Sequence, residues 1–77
     1  MEMKYRVVVR FSQTGEIREQ YFPTYSDADT IAEYLFLALE NGADLGYVLQ
    51  ELIDGKIITA QEYGKPVEQW KNLRWNA

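Results

Sequence analysis

An α+β domain of ββαββ order, a two-layer sandwich of one four-stranded antiparallel sheet and one covering helix, follows from three features of the sequence. Residues 4–11 alternate in polarity, residues 28–39 carry an apolar stripe at helical spacing, and Asp54-Gly55 separates two strand-like runs. The chain has 77 residues, enough for a single domain that buries about 60% of its extended surface. With 47% hydrophobic and 26% charged residues it has the composition of a globular domain rather than a disordered tail.

Tyr5, Val7, Val9 and Phe11 share one face of the first strand, and Lys4, Arg6, Val8 and Arg10 share the other. Ser12-Gln13-Thr14-Gly15 then breaks the alternation. A three-residue loop, 13–15, with Gly15 in the left-handed position of a bulged turn would pair Phe11 with Ile17, Val9 with Glu19 and Val7 with Tyr21. The competing register sets Phe11 against Glu16 and Val9 against Arg18, which mixes the apolar and polar faces. The bulged hairpin is therefore the expected one.

Pro23 ends the second strand. Ser26, with Asp29 three residues on, suits a capping box, and a helix over 27–41 buries Ala28, Ile31, Ala32, Leu35, Ala38 and Leu39. Asn41-Gly42 stops it. Leu45–Ile53 fits helical spacing as well as strand spacing. The Asp54-Gly55 turn and Gly46 favour a hairpin, 47–53 with 56–63, in which Leu52 opposes Ile57. Residues 1–64 form the domain, and 65–77 form a tail. Pro66 could open a short helix in that tail, packed on the domain or on a partner.

The absence of cysteine and histidine excludes disulfide scaffolds, zinc fingers, thiol nucleophiles and histidine-based catalysis. No glycine pattern suits a phosphate loop, and no loop has calcium-ligand spacing, so neither cofactor nor metal is expected. The close carboxylate pairs, Asp27/Asp29 and Glu51/Asp54, fall at a helix start and beside a turn, where structural roles explain them. The expected protein is not an enzyme. No apolar run is long enough for a membrane span, and the charged start, Met1-Glu2-Met3-Lys4, does not resemble a signal peptide; the expected location is the cytoplasm.

The net charge of −4 is unevenly spread: +1 over residues 1–22, −7 over 23–64 and +2 over 65–77. Such a dipolar surface can steer a charged partner. Leu37 lies opposite the helix stripe, and Trp70 and Trp75 add two large rings to the tail. These three are the candidate partner-binding residues of a small protein-interaction module, an accessory or inhibitory protein that binds another protein or itself as a homodimer. In a domain this small, tail packing over the open sheet face, with the tryptophans on Val8 and Phe22, is the role favoured over partner binding for these two residues. The alternative function is nucleic-acid or anion binding by Lys4, Arg6, Arg10 and Arg18 on the outer sheet face, where Arg10 would oppose Arg18.

Overall fold

A computed structural model describes residues 2–64 and 71–77. It contains β1 (Tyr5–Phe11), β2 (Ile17–Phe22), α1 (Tyr25–Glu40), β3 (Leu45–Ile53) and β4 (Lys56–Gly64). The strands form one antiparallel sheet in the order β2-β1-β3-β4, so the strands before and after the helix meet at its centre. This is the ββαββ arrangement that the sequence patterns predict.

β3 is a strand throughout, and Leu52 opposes Ile57 as expected. Its turn has Asp54 and Gly55 both at positive φ, 50° and 76°, as a two-residue hairpin of this hand requires. Thr24, rather than Ser26, caps α1: its hydroxyl accepts the Asp27 N–H at 3.2 Å, while the Ser26 carbonyl accepts from the Thr30 hydroxyl. The helix therefore starts two residues earlier than the capping-box reading places it. Ala28, Ala32 and Leu35 bury its stripe against Val7, Val9, Leu45, Tyr47 and Leu49. The alanines let the helix axis approach the two central strands closely.

The first hairpin differs from expectation. Its loop has four residues, Ser12–Gly15: the Gly15 N–H bonds to the Phe11 carbonyl and the Phe11 N–H to the Glu16 carbonyl. Gly15 does adopt positive φ, but β2 is shifted by one residue, so Val9 opposes Arg18, Val8 opposes Glu19 and Arg6 opposes Tyr21. Arg18, Gln20 and Phe22 share the helix side of the sheet with Val7 and Val9, and Ile17, Glu19 and Tyr21 share the other side with Arg6 and Val8. Matching apolar faces assumes that one side of the sheet is solvated. Here the far side is covered too, by Leu73 packed on Val8 and Val48, so β1 and β3 are buried almost continuously.

A second irregularity lies in β4. Leu49 pairs with Gln61 and Gln50 with Thr59, which leaves Ala60 as an extra residue. This bulge reverses the alternation, so that Ile57 and Thr59 face away from the helix while Gln61 and Tyr63 face toward it. Gly64 closes the strand at φ +81°, and a Cβ there would lie 2.7 Å from the Gly46 Cα and closer still to the Leu45 carbonyl. Only glycine fits this approach of two backbones.

Tyr47 sits fully buried beneath α1. Burial first, and then the neighbouring Tyr63 and Asp29, push its phenol up to about 12 from 10.0. The folded chain thus holds a proton that the unfolded chain releases near pH 10. Stability should be unaffected below that pH and fall as pH rises from 10 towards 12. Urea denaturation across this window should show that loss in the parent protein and a shallower one in Tyr47→Phe; equal slopes would contradict the assignment.

Candidate functional site

On the sheet side away from the helix, everything converges on Arg6. Its guanidinium is fully buried. Nε donates to Gln50 Oε1 at 2.7 Å, Nη1 to Glu19 Oε1 at 3.2 Å and the Arg74 carbonyl at 3.0 Å, and Nη2 to the Leu73 carbonyl at 2.6 Å. The Trp75 ring lies 5.1 Å from the guanidinium carbon and meets Tyr21 edge-on at 5.2 Å. A buried cation is tolerated only when paired and hydrogen-bonded, and β2, β3 and the tail all contribute to that here.

The tail crosses the strands. Gln50 Nε2 donates to Thr59 Oγ1 at 3.1 Å and to the Lys71 carbonyl. Leu73 covers Val8 and Val48 at the sheet centre. Asn76 donates from its backbone to the Tyr21 hydroxyl at 2.9 Å and from its side chain to Glu19. Residues 73–77 have no regular secondary structure, so the described part of the tail continues no helix.

The four cations expected on an outer basic face are not assembled into one. Arg6 is sealed under the tail. Arg18 lies on the helix side of β2, ion-paired with Glu16 at 3.0 Å and 5.7 Å from the Phe11 ring. Arg10 opposes Ile17, not Arg18, so the expected like-charge pair does not form. Lys4 is exposed, beside a hollow it shares with Glu2, Glu51 and Asp54. Phe22, expected beside Val8, packs on the helix side.

Of the partner-binding candidates, Leu37 is half exposed on the crest of α1. Trp75 is half-buried against Arg6 and Tyr21, engaged within the chain. Its indole Nε1 is buried without a hydrogen bond among the described residues. Trp70 and the start of the expected tail helix lie outside the described residues. The carboxylate pairs hold separate stations: Asp29 accepts from Gln61 at 2.8 Å, Glu51 from the Tyr5 hydroxyl at 3.2 Å, and Asp54 forms the turn. Among the described residues no three acidic side chains come together as a metal-ligand set. Among the described residues no helix is long and apolar enough to cross a membrane.

The helix surface carries features that the sequence patterns do not reveal. Because β2 turns Arg18 and Gln20 towards α1, the space between them stays open as a groove of about 520 Å³, floored by Val7, Val9 and Phe11 and walled by Ile31, Tyr34 and Leu35. Tyr34, 73% exposed, stands at its lip one turn from Leu37. On the opposite flank, Phe36 meets Tyr63 edge-on at 5.1 Å beside Asp29 and Glu33. The signal for the groove was the polar inner side of β2, which only the correct register exposes.

Comparison of the chain with protein-family models, with curated proteins and with solved structures gives no match in any of the three. The geometry defines a class by itself: an antiparallel α+β domain whose tail closes one sheet face and whose helix closes the other.

Replacing Arg6 by methionine keeps the volume and removes the four donated hydrogen bonds. Arg6→Met should cost about 2–4 kcal/mol in urea denaturation and expose the C-terminus to carboxypeptidase. A stability change under 1 kcal/mol with a protected tail (within about the net value of one ordinary hydrogen bond) would show that the clamp is not formed.

Proposed function

We propose that this chain is a small, non-catalytic protein-interaction module, an accessory or inhibitory protein that acts by covering part of a partner's surface. The observation that carries this reading is the apolar strip from the groove floor over Ile31 and Tyr34 to Leu37. Over the central strands β1 and β3 both faces of the sheet are already covered within the chain, by α1 and by Leu73 with Trp75. The strip therefore has no folding task left to explain its exposure. Aromatic and aliphatic anchors beside an open groove are what a binding surface needs, and a rim of Arg18 and Gln20 adds polar register.

The edge position of β2 supports the same reading. Among the described residues its outer edge pairs with no strand, so a partner segment could add to the sheet beside the groove. Leu37, Tyr34 and the groove define one continuous contact area, whereas Trp75 belongs to the tail clamp.

The test is affinity purification of the tagged full chain from its native cells, next to Leu37→Asp and Tyr34→Asp. Both side chains project into solvent, so the variants should denature within about 0.5 kcal/mol of the parent. A specific partner, or a second copy detected by sedimentation equilibrium, should be retained by the parent and lost at least tenfold in both variants. A partner retained equally by both variants would overturn the reading.

A further inference from the structure

The notch on the other flank of α1 is built from six described residues, none of them basic: Asp29, Glu33, Phe36, Tyr47, Gln61 and Tyr63 enclose about 210 Å³. Asp29, Glu33 and Phe36 recur at i, i+4 and i+7, which aligns them along one side of the helix. The opposing wall exists because of the bulge at Ala60. Without that extra residue, Gln61 and Tyr63 would point to the tail side of the sheet. With it, Tyr63 lies 5.1 Å from Phe36 and 5.6 Å from Tyr47, ring centre to ring centre, and Gln61 Nε2 bonds to Asp29 Oδ1 at 2.8 Å and to the Tyr25 hydroxyl at 3.0 Å.

Three aromatic rings and two carboxylates around one small space form an environment for a cation. Ring faces attract positive charge through their quadrupoles, and the carboxylates add direct attraction. Among the described residues neither Asp29 nor Glu33 has an ion-pair partner. The Tyr47 hydroxyl is a second, independent indication. It lies in a fully buried residue that lines the notch beside Asp29 and Tyr63, and among the described residues it makes no hydrogen bond. The hydroxyl is left with hydrogen-bonding capacity that no neighbouring side chain of the notch takes up, and an incoming polar group can use it.

We propose that the notch between α1 and β4 receives the cationic end of a lysine or arginine side chain from the partner protein. This rests on the protein-binding reading and names the partner's chemistry. Leu37 lies one helical turn from Glu33, so a chain crossing the crest of α1 reaches both the apolar strip and the notch. The net −7 over residues 23–64 draws a basic segment to this side. The ammonium or guanidinium would sit against Phe36 and Tyr63, donate to the free oxygens of Asp29 and Glu33, and give the Tyr47 hydroxyl a polar neighbour.

The experiment is NMR titration of the full chain, without any partner, using N-acetyl-lysine methylamide, N-acetyl-arginine methylamide, tetramethylammonium and the neutral N-acetyl-glutamine methylamide. A lysine or arginine probe should shift ring and backbone resonances of Phe36, Gln61 and Tyr63, while the neutral amide should not. Phe36→Ala and Glu33→Gln, both at exposed positions, should each weaken that binding about fivefold, the loss expected for one cation–π face or one partly screened charge.

Shifts spread evenly over residues 23–64, or equal shifts with the neutral probe, would overturn the site. Tetramethylammonium binding more tightly than both side-chain probes would overturn the occupant in favour of a free organic cation. Since no partner takes part, a negative result leaves the Leu37 and Tyr34 test untouched. Loss of the partner in that test would equally leave a positive titration standing.

Discussion

A guanidinium fully removed from water in a 77-residue domain constrains nearly everything around it. The desolvation cost of such a charge is several kcal/mol, so it is kept only where fixed acceptors and an anion meet it. Arg6 draws these from three places: Glu19 on β2, Gln50 on β3, and the carbonyls of Leu73 and Arg74. Glu19 can reach it only if β2 pairs in the observed register. The tail can reach it only by lying across β1, which brings Leu73 onto Val8 and Val48 and Trp75 onto Tyr21. Sheet register, tail path and the second small core are thus one linked solution.

That solution has a consequence on the helix side. The register that gives Glu19 to Arg6 places Arg18 and Gln20 under the flank of α1, where apolar side chains would have closed the gap. The groove is the complement of the clamp. On the far flank the Ala60 bulge performs a similar redirection, turning Gln61 and Tyr63 towards Asp29 and Phe36. Two local departures from regular pairing therefore shape the two hollows that flank the exposed crest of α1, and the proposed binding surface occupies that crest.

Much of the architecture is readable from local chemistry. Asp54-Gly55, Asn41-Gly42 and the alanine-rich stripe depend on neighbours in sequence, and each lies where its residue types require. The β1–β2 register depends instead on what covers the second sheet face, and that cover is a tail some fifty residues away. Periodicity treats Arg6 as an outward basic residue because its partners are invisible in a window of ten. The cap fails for a milder reason, since Thr24 and Ser26 are both good caps and the helix uses the earlier one. Leu37 is correctly read as facing away from the stripe. The notch was out of reach because β4 carries no glycine or proline at Ala60 to announce its bulge.

The most direct test of this account observes the Arg6 guanidinium itself, by ¹⁵N-detected NMR of its Nε and Nη protons. A buried, four-fold-bonded group should give distinct Nη resonances, slow exchange with water, and contacts to the Trp75 ring and Leu73. A single averaged Nη signal in fast exchange, without a Trp75 contact, would mean that the tail does not close the sheet. The link between register, tail and groove would then fall.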